Sequence, residues 1–209
     1  LPGTTAKSLE GDDRIEWAVL DNGESLEFDL AVMGVGIRLN TALARDAGLD
    51  LRQDDGAVIV DPFLRTSDPD VYAAGDIAAW PDPTFGKRLR VEHWDVAFNQ
   101  GKTAGHNMAG AGEIYDRIPY FFSDMFDLSF EVWGDLTEWN RTVRRGELES
   151  REVAFYYFNE GKLVGVLAMG RPDEERQPMQ DLVKARVAYD DVASQLEDED
   201  TDLADLLDR

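Results

Sequence analysis

The stretch Thr66-Ser67-Asp68-Pro69-Asp70-Val71-Tyr72-Ala73-Ala74-Gly75-Asp76 constrains the fold of this chain more than any other segment. A β-compatible, half-apolar run from Val71 to Ala74 stops abruptly at Gly75-Asp76, which predicts a short strand with a carboxylate at its carboxyl end. Open α/β sheets bind their ligands just beyond the carboxyl ends of strands. Gly75 lets the backbone turn sharply and come close to a bound molecule. An ionised Asp76 accepts hydrogen bonds from hydroxyls without donating any, which suits a polyhydroxylated ligand. Taken alone, Asp76 could equally cap a short helix.

The surrounding pattern supports an α/β reading for the first half of the chain. Residues 14–20 alternate as a strand does, Asp21-Asn22-Gly23-Glu24 is a hairpin turn, and Ser25 to Val35 reads as a returning, increasingly buried strand. A short helix is expected over Thr41 to Ala47, with Asn40 as N-cap and Gly48 closing it. Ala57 to Val60 reads as a strand broken by Asp61-Pro62. Val96, Ala97, Ala104 and Met108 share an apolar stripe, so a helix is expected from Trp94 to Met108.

Gly110-Ala111-Gly112 marks an expected boundary, beyond which hairpins replace the βαβ-like pattern. Phe126–Trp133 and Arg141–Glu147 are expected strands, and Glu152–Phe158 and Lys162–Met169 form a hairpin around Asn159-Glu160-Gly161. A helix is expected over Asp173–Tyr189, regular from about Pro178. The acidic stretch Asp190–Arg209 reads as a partly disordered tail, with a docked helix as the alternative.

Three motifs in order carry a family resemblance: the Gly75-Asp76 segment, Arg90-Val91-Glu92-His93-Trp94-Asp95 with Asn99-Gln100-Gly101-Lys102 behind it, and Pro119-Tyr120-Phe121-Phe122-Ser123-Asp124. Together they resemble the pyridine nucleotide-disulfide oxidoreductase superfamily, in its ferredoxin-reductase-like and apoptosis-inducing-factor-like branch. The resemblance runs from about Asp29 to Gly134. It implies the second part of an FAD/NAD(P)-binding Rossmann-like fold, followed by an α+β C-terminal reductase domain. It also implies an enzyme that passes hydride from NAD(P)H to FAD and electrons on to an acceptor such as a ferredoxin or a quinone.

The resemblance also suggests roles for residues. Gly75 and Asp76 would meet the flavin ribitol, and Glu92, His93 and Trp94 would face the flavin and nicotinamide edge at a helix N-terminus. Phe122 stands where many relatives carry Trp and would lie near the isoalloxazine. Each has a plainer reading as packing or capping. Hydride transfer to a flavin requires positioning more than proton transfer, so none is assigned as a catalytic acid.

Gly34-Val35-Gly36-Ile37-Arg38-Leu39 fails as a dinucleotide fingerprint, because Leu39 stands at the third glycine position and no long helix is expected after it. It resembles the family's exit strand from the nicotinamide domain, with Leu39 in place of Pro. Gly36 would there approach the nicotinamide dinucleotide, or serve only as a hinge. Both nucleotide fingerprints of the superfamily are absent, so the chain is expected to be the last part of a reductase of about twice its length. That reading divides it into residues 1–38 (end of the NAD(P)-binding domain), 39–112 (second segment of the FAD-binding domain) and 113–209 (C-terminal interface domain). The segment by itself is expected to expose sheet edges and not to hold FAD tightly.

Charge narrows the partners. There are 43 acidic and 21 basic residues, a net charge of −22, and only five of the basic residues are Lys. Duplex nucleic acid needs clustered positive charge, so it is an unsuitable partner. Many acidic residues, few Lys and no Cys resemble a protein of a salt-loving organism. The lack of Cys rules out disulfides and thiolate sites in this segment and fits a reducing compartment such as the cytoplasm. No run reaches the roughly 20 apolar residues of a membrane span. His106 has no partner at metal-ligand spacing, and no acidic run has the pattern of a calcium loop. The C-terminal part is a candidate homodimer surface. A non-catalytic dimerisation or interaction module derived from the same fold is the alternative function.

Overall fold

The structure, a computed structural model, describes residues 1–207. The chain divides into two compact units, Leu1–Arg38 and Leu39–Arg209. The first is an antiparallel meander of β1 (Ala6–Glu10), β2 (Trp17–Leu20) and β3 (Ser25–Glu27), with Ala18 and Leu20 buried. The turn at Asn22-Gly23 falls where the sequence puts it, with Gly23 at φ +86°. The strand expected to run to Val35 ends at Glu27, and Leu30, Val32, Met33, Val35 and Ile37 are all exposed. Their composition is that of a buried strand, but a strand forms only against a partner, and none lies beside them among the described residues.

The second unit contains two hydrophobic cores. The first gathers around a small sheet of β4 (Val58–Ile59), β5 (Ala78–Asp82) and β6 (Lys87–Leu89), in which β4 pairs parallel to β5 and β5 antiparallel to β6. The helix α2 (Trp94–Met108) lies over it, preceded in sequence by the short α1 (Ala42–Asp46). Thr41, not Asn40, occupies the N-cap of α1. Val58, Val60, Leu64, Ala78, Trp80, Leu89, Val96, Ala104 and Tyr115 fill this core, and Trp80 meets Tyr115 edge-on at 5.6 Å. Fully burying side chains of this size stabilises by about 1.5–3 kcal/mol each. The Gly110–Gly112 turn folds back on α2. Asn107 donates to the Phe63 and Glu113 carbonyls at 2.9 and 2.8 Å and accepts the Glu113 N–H at 2.7 Å.

The second core lies between a five-stranded antiparallel sheet and the C-terminal helices. The strands are β7 (Tyr120–Met125), β8 (Leu128–Gly134), β9 (Arg141–Glu147), β10 (Glu152–Asn159) and β11 (Lys162–Met169), in the order β7-β8-β11-β10-β9. The one long helix expected over Asp173–Tyr189 is two, α3 (Asp173–Ala185) and α4 (Tyr189–Glu197), broken where Arg186 adopts a left-handed conformation at φ +50°. Helix α3 is regular ahead of Pro178, so the sequence-based start near Pro178 is too late.

The acidic tail is a correction of a different kind. Its expected disorder gives way to α4 and a 3-10 turn at Leu203–Leu206, with Leu196, Leu203 and Leu206 buried. Burial of three leucines offsets the ordering entropy that composition alone suggested would prevail. Arg145, itself 2% exposed, donates to the carbonyls of Asp198, Glu199 and Thr201 and to the Glu175 carboxylate. The last two positions of the expected tail, 208 and 209, lie outside the described residues.

Candidate functional site

The strand expected at Val71–Ala74 is an extended stretch held by one bridge, Arg65 to Tyr72, and by the Ala73 N–H donating to the Leu64 carbonyl. It ends where Gly75, at φ +79°, starts a 3-10 turn over Gly75–Ile77 that runs directly into β5. Asp76 therefore stands ahead of a strand, not at the carboxyl end of one. The turn sits on α2, where a Cβ on Gly75 would lie 3.2 Å from the Ala97 Cβ. Gly75 is required here twice over, by its left-handed backbone and by this close approach. The Asp76 carboxylate is exposed and makes no hydrogen bond or ion pair with any described residue.

Arg90 ties this turn to the next motif. Its guanidinium donates to the Asp55 carboxylate at 2.6 Å, to Glu92 Oε1 at 2.7 Å and to the Asp76 carbonyl at 3.3 Å. Asp55 is also paired with Arg52, and that hydrogen bond more than any other influence holds its carboxyl far below the ordinary aspartate range. Neither Asp55 nor the role of Arg90 is legible in the sequence, because their meeting depends on a contact across 35 positions.

The start of α2 and the first half of β7 enclose a cleft of about 430 Å³, lined by Glu92, His93, Trp94, Asp95, Tyr120, Phe121 and Phe122. The expected site residues Glu92, His93, Trp94 and Phe122 thus line one cleft, with the Gly75-Asp76 turn packed on the same helix. His93 occupies the N-cap of α2 but makes no side-chain cap hydrogen bond. The first-turn amides, which carry the positive end of the helix dipole, are left without a side-chain acceptor.

The His93 ring packs against Phe121 at 4.4 Å, and its Nδ1 is buried without a partner. Burial pushes the His93 pKa down, against the opposing charges of Asp76, Asp95 and Glu92, so the imidazole is neutral near pH 7. Trp94 is 73% exposed and stacks on Phe98 with ring centroids 5.2 Å apart, while Phe122 is 57% exposed. On the same face of β7 as Phe122, the Tyr120 hydroxyl donates to Glu131 and accepts from Arg176, and burial with the Glu131 hydrogen bond raises its pKa to about 12. Gly36 lies in the first unit, exposed, at φ +83° with open space around its Cα.

The sequence and the fold resemble those of known proteins. Residues 1–101 match the pyridine nucleotide-disulphide oxidoreductase family, and residues 120–207 match the reductase C-terminal family. The chain's first 101 residues are those of a pyridine nucleotide-disulphide oxidoreductase. It is 34% identical over 199 residues to a monodehydroascorbate reductase of Pisum sativum, a match that covers 91% of this chain and 44% of the relative. It is 33% identical over 150 residues to the ferredoxin–NAD(+) reductase component of an anthranilate 1,2-dioxygenase system of Burkholderia cepacia, covering 71% of this chain and 36% of the relative. Among solved structures it matches the ferredoxin reductase for the CYP199A2 system of Rhodopseudomonas palustris with a TM-score of 0.85 and 30% identity, covering 97% of this chain and 49% of that one. The chain spans less than half the length of each of these three relatives.

The site fits a flavin on its own geometry. A flat aromatic wall, an uncapped helix start, a buried unpartnered ring nitrogen and a free carboxylate lie around one helix terminus. Asp76, Glu92, His93, Trp94 and Phe122 are the residues able to hold such a group. Among the described residues no helix is long and apolar enough to cross a membrane.

Proposed function

We propose that the chain is the carboxyl-terminal part of an FAD-dependent NAD(P)H oxidoreductase that delivers electrons to a ferredoxin-type protein or a quinone. In that reading residues 1–38 end the nicotinamide domain, 39–112 complete the FAD-binding domain and 113–209 form the C-terminal domain. The observation that carries it is the free Asp76 carboxylate held on the same helix whose uncapped start opens into the aromatic cleft. When bound, FAD supplies the hydride acceptor and the means to pass electrons on.

The chain's own residues bind and orient. Asp76 accepts a hydrogen bond from a ribitol hydroxyl, and Arg90 holds the backbone from which that carboxylate projects. The first-turn amides of α2 favour negative charge at the adjacent edge of the ring, without any side chain changing its protonation. His93, neutral and in contact with Phe121, supplies shape and a ring nitrogen, not a mobile proton. Phe122 and Trp94 present flat surfaces, and Phe122 does so without the N–H of a tryptophan. Gly36 serves the nicotinamide side of the same enzyme.

The net charge of −22 supports a high-salt habitat, and the lack of Cys supports the cytoplasm. A homodimer would use the sheet face turned away from α3 and α4, where Phe155 and Leu167 are half-buried. The complete gene product tests the function. It is expected to purify with a flavin absorbance that NADH or NADPH bleaches. Failure to take up flavin, or a bound flavin that neither nucleotide reduces, would defeat the proposal.

A further inference from the structure

Helix α2 buries Val96, Gln100, Ala104 and Asn107, and Gln100 is an unexpected member of that stripe. It is fully buried, yet only half of its amide is used. Its Oε1 accepts the Gly75 N–H at 2.8 Å, while its Nε2 has no acceptor. A buried amide with an unpaired N–H is less stable than an apolar side chain of similar volume. Packing therefore does not explain Gln100. Its one bond does fix something, because the Gly75 N–H has no other acceptor among the described residues and Gly75 is the residue whose backbone aims Asp76.

The turn is then held at three points. Gln100 holds its amide, Ala97 lies 3.2 Å from where a Gly75 side chain would start, and Arg90 reaches the Asp76 carbonyl at 3.3 Å. All three leave the Asp76 carboxylate free. We infer that Gln100 is a positioning residue that locks the Gly75-Asp76 turn so that the carboxylate is presented, already oriented, to the hydroxyl chain of a flavin. The inference rests on the flavin reading above. It assigns to a buried helix residue, which touches no ligand, part of the affinity for one. A carboxylate fixed before binding loses less freedom on binding than one on a mobile turn.

A double-mutant cycle on the complete gene product tests it. The apoprotein of the unmodified chain, of Gln100→Met, of Asp76→Asn and of the double variant is titrated with FAD by flavin fluorescence, and each apoprotein's melting temperature is recorded. Gln100→Met keeps the volume and removes the acceptor, so it is expected to weaken FAD binding about tenfold. Asp76→Asn is expected to weaken it by at least as much. The double variant should be little worse than Asp76→Asn alone, because Gln100 acts through Asp76.

A lower melting temperature with unchanged FAD affinity in Gln100→Met, or fully additive losses in the double variant, would overturn the inference while leaving the flavin reading intact. An Asp76→Asn variant that binds FAD as the unmodified protein does would instead defeat the flavin reading, and the inference with it. Should Gln100→Met not fold, hydrogen exchange at the Gly75 amide of the unmodified apoprotein decides. Strong protection is expected, and exchange as fast as that of an exposed loop amide would overturn the inference.

Discussion

Beside each core of the second unit an arginine ties several groups together, Arg90 next to the first and Arg145 next to the second, and the two differ in what they leave open. Arg145, 2% exposed, spends its N–H groups on Glu175 and on the carbonyls of Asp198, Glu199 and Thr201. It closes the C-terminal domain over its own tail. Arg90, with 19% of its side chain exposed, links Asp55, Glu92 and the Asp76 carbonyl at the mouth of a cleft. Around it, Asp76, Trp94 and Phe122 remain turned outward. The same planar fork of donors seals one region and aims the side chains of the other. Stability is concentrated where the arginine's own nitrogens all donate within the fold, and recognition where neighbouring groups are left over.

That contrast is broken most directly at Arg145. Arg145→Ala takes a donor away from three carbonyls and leaves Glu175 with only Arg171. It is expected to cost about 3–5 kcal/mol in urea unfolding and to expose the stretch from Asp198 onward to proteolysis. Arg90→Ala, at a half-open site, is expected to cost only about 1–2 kcal/mol but to weaken FAD binding in the complete gene product. Equal stability losses with no change in affinity would erase the distinction between the two arginines.

A smaller effect separates them by pH. Burial alone would raise the Glu175 pKa, but Arg171 and Arg145 outweigh it and hold the carboxyl below its ordinary value. A lowered value in the fold means that Glu175 contributes its full stability above the ordinary glutamate range, and that this contribution is lost as the pH falls through the folded value. Glu175→Gln should therefore be less stable than the unmodified chain at pH 7 and approach it in acid. Thermal melts across that range measure the convergence, and parallel curves would contradict it.

The smallest expected effect is shared by both cores. Tyr115 and Tyr156 each bury a hydroxyl with no partner. Tyr115→Phe and Tyr156→Phe should each change stability by less than about 1 kcal/mol, in the stabilising direction if at all. A loss of several kcal/mol at either would mean that its hydroxyl is bonded after all.

How much of this could be read from the sequence depended on whether the signal was local. Strand Arg141–Glu147, the hairpin that follows and helix Trp94–Met108 rest on periodicity within single segments, and they stand where it places them. Strands β1, β5, β6 and β7 went unread because they are made by pairing more than by composition. The tail misled because charge hid three leucines whose partners lie across the domain.

At the site, Gly75, Asp76, Glu92, His93, Trp94 and Phe122 were visible as motif positions, but not the direction of the turn that bears Asp76. Gln100 left one legible trace, a polar side chain on the apolar stripe between Val96 and Ala104. Arg90 and Asp55 left none, since an ion pair across 35 residues is set by the fold.

The central claim is that Asp76 is part of a flavin site whose polar contact is prepared before the ligand arrives. FAD titration of the complete gene product, unmodified and as Asp76→Asn, tests it most directly. The account predicts stoichiometric binding by the unmodified protein and an affinity at least about tenfold lower in the variant, with the apoprotein melting temperatures alike. Equal FAD affinities in the two proteins would contradict it.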